Sequence, residues 1–283
     1  MPVPLPAALE LTLDLLCCPT CRARCLRPGP GTLRCPLGHT FDIARHGYAS
    51  LLFGTCFTSG DDAAMVRARG RFLSTGAYAP IREVAGRLAA EIAREQATVV
   101  DVGCGTGYYL AGVLDRLPGA RGLGLDSSVR ALRSAAKAHE RAAAVSWDVF
   151  RPFPLADGVA DLVLDVFAPR NPAEFRRVLR PSGRLFVVRP TTRHLAELRD
   201  RLPAMVTVDP AKEQRLHQAL APFFEPDATE RIEYAAPLTR LDALDLLAMT
   251  PSARHVSCKD LGDGAVLPDQ ITVSVLASAF RPR

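Results

Sequence analysis

Cysteine and histidine spacing constrains the amino-terminal part of this chain more tightly than any other feature. Cys18 and Cys21 form a CxxC pair, Cys35 and His39 a CxxxH pair, and the 13 residues between the pairs include "RPGPGT", whose prolines and glycines force a hairpin tip. Such a ribbon can bring both pairs to one ion. Three thiolates and an imidazole suit a closed tetrahedral zinc site, which holds a fold together and leaves no open position to activate water. Cys17 and Cys25 remain competing ligands, since the spacing from Cys21 to Cys25 is also workable. Five of the eight cysteines lie between Cys17 and Cys35, which is metal-site clustering and not a disulfide framework. With metal supplying the folding energy, a module of about thirty residues can stand without a core of its own. It would present Arg22, Arg24, Arg27, Arg34 and Arg45 as candidate phosphate contacts.

The pattern changes further along. Asp61 or Asp62 can cap a helix through "AAMVRARGRFLSTG", and a second helix is predicted from Pro80 to about Glu95. From Thr98, apolar runs ("TVVDVG", "RGLGLD", "ADLVLDVF", "GRLFVV") alternate with helical ones ("YYLAGVLDRL", "SVRALRSAAKAHE", "PAEFRRVL"). This predicts an α/β fold, a Rossmann-like parallel sheet covered on both faces, with ligands beyond the strand carboxyl ends. Helices near 193–202, 210–221 and 241–248 and a last strand "ITVSVLASAF" complete the reading. Three parts result: a metal-binding module at 1–52, a connecting loop and helices at 53–96, and a cofactor-binding domain at 97–283.

"VVDVGCGTGYY" places Asp101 and the glycines Gly103, Gly105 and Gly107 between a strand and a helix. The GxGxG spacing differs from the dinucleotide fingerprint, and an acid before the glycines would repel a pyrophosphate. It suits a ligand with an ammonium group. Asp126, closing "GLGLD", is placed to accept two ribose hydroxyls, and Asp148 in "VSWDVF" to read an adenine amine, with Trp147 or Val149 against the ring.

These positions together resemble the S-adenosylmethionine-dependent class I methyltransferases. The stretches "CPTC", "CPLGHTFDIARHGYASLL", "FLSTGAYAP", "DVGCGTGYYL", "VFAPRNPAEFRRVLRPSG" and "HLAEL" resemble, more narrowly, the bacterial 23S rRNA (guanine-N1) methyltransferases with an amino-terminal zinc module. "FAPRNP" is similar to the branch protecting producers of tylosin- and mycinamicin-type macrolides. The resemblance covers nearly the whole chain. It implies methylation of guanine N1 in a hairpin loop of 23S rRNA, zinc on Cys18, Cys21, Cys35 and His39, and cofactor contacts at Tyr78, Tyr109, Leu110 and His194. It also implies a homodimer. Phe167 with Pro169 is the candidate guanine platform, with Arg170 and Asn171 on the base edge or its phosphate; the general base is left unnamed, Asp165 being on the right strand.

Charge decides less: 35 basic against 30 acidic residues is a mild excess, although all but three of the cations are arginines. No apolar run approaches the roughly 20 residues of a membrane span, so a cytoplasmic protein with no membrane partner is expected. Two rival readings are a methyltransferase of quinone-type small molecules and a zinc-ribbon nucleic-acid-binding regulator with an inert cofactor fold.

Overall fold

Short-range chemistry shapes the first fifty residues. In the computed structural model, which describes residues 4–24, 26–52, 61–92, 94, 96–206, 209, 211–250, 253 and 267–283, α1 (Ala7–Glu10) and a 3-10 turn at Leu13–Leu15 lead into a three-stranded antiparallel ribbon. Its strands are β1 (Arg27–Gly29), β2 (Thr32–Arg34) and β3 (Thr40–Asp42). Gly31, at φ 66°, turns the β1–β2 hairpin in the left-handed conformation that glycine adopts without steric cost, so "RPGPGT" is the expected tip. Cys25, Cys56, Cys258 and most of the connecting stretch, 53–60, lie outside the described residues.

The ribbon does have a core, contrary to expectation, and shares it with the rest of the protein. Leu16, Leu33 and Phe41 are buried in one apolar cluster with Phe153, Leu155 and Phe175. Each such side chain contributes about 1.5–3 kcal/mol by leaving water, so a metal-tied loop gains by docking. Backbone bonds seal the joint: Cys17 N–H to the Pro154 carbonyl and Ala156 N–H to the Leu15 carbonyl, both 2.9 Å. Arg22, expected to contact phosphate, instead donates to the carbonyls of Phe153 at 2.6 Å and Leu155 at 3.3 Å. Its guanidinium is a structural tie.

β4 (Ala49–Ser50) follows, then α2 (Ala63–Ser74) and α3 (Ala79–Ile92). Asp62 is the cap of α2, accepting from Ala64 N–H at 2.7 Å and Met65 N–H at 2.9 Å. The parallel strands are β5 (Thr98–Val102), β6 (Arg121–Asp126), β7 (Ala142–Ser146), β8 (Ala160–Val166) and β9 (Leu179–Pro190). Between them run α4 (Tyr108–Arg116), α5 (Val129–Ala135) and α6 (Pro172–Val178). α7 (Ala196–Arg201), α8 (Lys212–Leu220), β10 (Phe224–Pro237), α9 (Arg240–Ala248) and β11 (Gln270–Pro282) complete the chain.

One eight-stranded sheet runs β10-β11-β9-β8-β5-β6-β7-β4. β5, β7 and β8 are buried along their whole length and β6 at all but its two end residues, as strands covered on both faces must be. Strands β6 and β7 lie to one side of β5 and β8 and β9 to the other, so the order reverses beside β5 and opens a crevice beyond the carboxyl ends of β5 and β8. Two features depart from the expected parallel sheet. β11 adds antiparallel to β9 and β10 antiparallel to β11, and β4 joins β7 in parallel as the opposite edge. β10 is invisible to pattern reading because it is an edge strand: Glu225, Asp227, Glu230 and Glu233 face outward, and the Pro226 end sits at a register shift.

Candidate functional site

The crevice is a cleft of about 1010 Å³, lined by the ends of β5, β6 and β8, the face of α2, and segments around His194, Met205 and Met249. Ligand clefts commonly span roughly 300–1,000 Å³, so this one has room for two groups side by side.

Its floor is the glycine loop. Gly103 and Gly107 hold φ of 72° and 82°, and a Cβ on Gly103 would sit 2.6 Å from the Ala168 side chain. Two successive N–H groups, Gly103 and Cys104, donate to the Leu125 carbonyl at 2.8 and 3.0 Å, which locks the loop against the end of β6. There Asp126 accepts from Gly105 N–H at 2.8 Å through one oxygen and from Ser128 N–H at 2.7 Å through the other. Burial pushes Asp126 above the ordinary carboxylate range, against the pull of these N–H groups. A carboxylate offers about four acceptor positions, so two remain for ligand hydroxyls. Asp148 accepts from Phe150 N–H at 3.0 Å and lines the cleft beside Trp147 and Val149.

Asp101 sits behind this lining, 2% exposed, with one oxygen lacking a hydrogen-bond partner. Desolvation, and then the neighbouring Asp126 and Asp165, push it up to about 8. In the ligand-free protein a folded pKa above the unfolded one keeps a proton on the native state only, so stability declines as pH rises from about 4 towards 8. Asp101→Asn is therefore expected to raise the melting temperature at pH 8.5 and change it little at pH 5. Melts showing the same increment at both values would contradict this.

Across the cleft, the N–H of Ser274 donates to His194 Nδ1 at 3.2 Å, so Nδ1 carries no proton. The Nε2–H then points at the Tyr78 hydroxyl, 3.1 Å away, which keeps its own O–H to donate. Burial, and then Arg199, hold His194 down to about 4, so the ring is neutral. Phe167 completes the wall. It is 39% exposed, stacks on His194 at 26° with centroids 5.9 Å apart, and lies within 6.4 Å of the Tyr78 and Tyr109 rings. Its φ of 57° is the left-handed region, which a bulky residue occupies only when its surroundings hold it there.

Not every sequence candidate reaches the cleft. Leu110 is buried in the core, Gly107 caps α4 against Ala135 and Ala138, and neither lines the cavity. Asn171 does not face a ligand: it is the cap of α6, accepting from Glu174 N–H and donating to the Val149 carbonyl at 2.9 Å. Arg170 lines the cleft but turns its Nε to Asp165, 3.1 Å away and fully buried, so Asp165 is half of an ion pair under the wall. Sequence reading placed the helix of α2 but not its face on the cleft. Met65, Arg69 and Leu73 line the cleft at i, i+4 and i+8, a helical face that could have been found, and Arg69 pairs with Asp61 and donates to the Met249 carbonyl at 3.0 Å.

The ribbon brings Cys18, Cys21, Cys35 and His39 together, with all ligand atoms within 4.8 Å of one another. Cys21 and Cys35 Sγ are 3.8 Å apart, and His39 Nδ1 is 3.3 Å from Cys35 Sγ and 3.7 Å from Cys18 Sγ. Two sulfurs each about 2.3 Å from a tetrahedral zinc lie about 3.8 Å apart. The donor set fits that ion, with Cys17 outside the cluster and buried.

Comparison with known proteins agrees with both halves. Residues 99–183 match the family described as "Methyltransferase domain" and residues 16–53 the one described as "RlmA, N-terminal". The chain is 45% identical over 271 residues to the 23S rRNA (guanine(748)-N(1))-methyltransferase of Streptomyces fradiae, covering 94% of this chain and 96% of that one. It is 44% identical over 270 residues to a protein of Micromonospora griseorubida named as a candidate 23S rRNA (guanine-N(1)-)-methyltransferase, covering 89% and 91%. A Bacillus subtilis protein with the same candidate name is 32% identical over 247 residues, covering 83% and 86%.

Proposed function

The chain belongs to the 23S rRNA (guanine-N(1)-)-methyltransferases, and from that premise we propose that it methylates N1 of a guanine in a hairpin loop of 23S rRNA. S-adenosylmethionine is the methyl donor, and zinc is structural. By its likeness to the Streptomyces fradiae enzyme, the target is the guanine at position 748; macrolide resistance is the physiological result that the resemblance of "FAPRNP" implies. Homodimerisation and a cytoplasmic location belong to the same reading; no helix among the described residues is long and apolar enough to cross a membrane.

The observation that carries the reading is Phe167, strained, half-exposed and aromatic, on the cleft wall just past the end of β8. A splayed-out base finds there a face to stack on, with its Watson–Crick edge, where N1 lies, open to the cleft.

When bound, S-adenosylmethionine supplies an electrophilic sulfonium methyl. Asp126 would hold the ribose hydroxyls, Asp148 the adenine amine, and Asp101 the ammonium end through the glycine loop. Tyr78, its O–H freed by His194, would bond the carboxylate end beside Tyr109. Phe167 and Pro169 would orient the guanine in line with the methyl group. The cofactor would supply the methyl group to the N1 electron pair and keep the S–C bonding pair, and the N1 proton would pass to solvent.

Labelled S-adenosylmethionine incubated with stripped 23S rRNA and with assembled large subunits tests this. Incorporation at a single guanine that stops reverse transcription is expected; incorporation into a quinone precursor alone, or none anywhere, refutes it. Phe167→Ala is expected to cut kcat/KM for RNA by roughly 10- to 100-fold, the value of one base-aromatic stack, with cofactor affinity nearly unchanged.

A further inference from the structure

Arg45 and His46 form the tip of a tight turn, closed by bonds from Gly47 N–H to the Ala44 carbonyl at 2.8 Å and from Ala44 N–H to the Tyr48 carbonyl at 2.9 Å. The turn is seated on the end of α5: Tyr48 packs with Leu132 and Ala135, and a Cβ on Gly47 would touch Ala136 at 3.6 Å. α5 itself carries Arg130 and Arg133, and Lys137 follows just past its end. Arg130 and Arg133, at i and i+3, share one face of α5, and Lys137 lies in the turn just past its C-cap. All three and Arg45 are exposed, and no described carboxylate forms an ion pair with any of the four. Elsewhere the protein neutralises many of its arginines, as Arg71 with Asp245, Arg177 with Asp157 and Arg184 with Asp227.

The stripe has two defined ends. Its first turn lies at the cleft, because Ser128, the cap of α5, donates through Oγ to the Asp61 carbonyl at 2.7 Å and Asp61 lines the cavity. Its last residue lies at the Arg45–His46 turn, which leads through Ile43 into β3 of the ribbon. After desolvation, Arg133, Arg45 and Lys137 hold His46 below its usual range, as a cluster of unneutralised cations around one imidazole would. A patch of like charge costs self-repulsion unless an anion covers it.

We propose that Arg130, Arg133, Lys137 and Arg45 form a phosphate track, along which the RNA backbone runs from the catalytic cleft to the zinc ribbon. The proposal rests on the reading that RNA is the substrate. The track positions RNA and carries no base specificity, since phosphate contacts set register and orientation only. It also gives the zinc ribbon a route to the site: the ribbon and cleft are joined by a continuous charged edge and not by the ribbon's own arginines alone.

The test compares the full-length zinc-loaded protein with the triple variant R130Q/R133Q/K137Q, with R130K/R133K, and with R201Q/R231Q on α7 and β10, away from α5. Binding of a fluorescent 23S rRNA hairpin fragment is titrated from 50 to 200 mM salt. Losing three phosphate contacts on a single strand lowers the slope of log K against log salt by about 2, so the gap between wild type and the triple variant narrows about 20-fold over that range. The lysine variant and the α7/β10 control keep the wild-type slope, and the triple variant keeps wild-type S-adenosylmethionine affinity and melting temperature. An unchanged slope in the triple variant, with the wild type still methylating RNA, overturns the track and leaves the enzyme reading standing. A lowered slope in the triple variant, with a wild type that binds but never methylates RNA, supports the track and refutes the enzyme reading. A wild type that does not bind RNA overturns both.

Discussion

Asp126→Ala is expected to weaken S-adenosylmethionine binding by about 100- to 10,000-fold, read by titration calorimetry on the purified protein. The size follows from the chemistry of the position. Two ribose hydroxyls donating to one buried carboxylate make two charge-assisted hydrogen bonds, each contributing about 1.5–3 kcal/mol, and every 1.4 kcal/mol is about tenfold in affinity. The same carboxylate also holds the N–H groups of Gly105 and Ser128, so alanine releases the glycine loop and the cap residue of α5 together. Asp126→Asn keeps one acceptor oxygen and should fall between. An alanine variant within threefold of wild type would remove Asp126 from the ribose site and with it the orientation assigned to the nucleoside.

Cys35→Ser has the other large effect, and the structure extends it beyond the ribbon. Cys35 is one of four ligands whose edges match a zinc tetrahedron, and Zn2+ accounts for an apparent ~10–16 kcal/mol of folding free energy in isolated zinc fingers. The Cys35 thiol resists the desolvation around it and is held at about 7, partly by the His39 backbone N–H, which donates to Cys35 Sγ at 3.3 Å. Losing this ligand should release the ion, seen as less than one zinc per chain by elemental analysis. It should also lower the melting temperature by roughly 10 °C or more, since 1 kcal/mol shifts a domain of this size by about 2–4 °C. RNA methylation should fall below detection. Cofactor binding should weaken several-fold as well, because the N–H groups of Leu51 and Leu52 bond the Ser146 hydroxyl at 3.0 and 3.1 Å, next to Trp147 and Asp148 of the cleft. Cys17→Ser is the control. It lies outside the ligand cluster and should keep one zinc and full activity; zinc loss in that variant would overturn the ligand assignment.

Both predictions rest on residues whose meaning is local in the chain. The ligand quartet, the glycine turn after Asp101 and the position of the acid closing β6 are legible because they depend on spacings of a few residues, although Gly107 serves as the cap of α4 and not as cleft lining. Tetrahedral geometry needs pairs with two or three residues between them, and a strand-to-helix turn that must approach a ligand needs glycine. The alternation of apolar runs from Thr98 carried the sheet for the same reason, since each buried strand writes its burial into consecutive residues.

Contacts formed between distant parts of the chain were decided only by folding. The tautomer of His194 depends on Ser274, 80 residues away, and frees the hydroxyl of Tyr78, 116 residues before it. Arg69 meets Met249 across 180 residues, and Arg22 reaches carbonyls more than 130 residues on. β10 is hidden because an edge strand needs only one buried face, and its charges read as loop until β11 is found beside it. Spacing along a chain encodes what neighbours in sequence must do. Which surfaces meet is settled by the joint burial of segments that carry no mark of one another, and that burial fused the zinc ribbon to the sheet and turned α5 into its bridge.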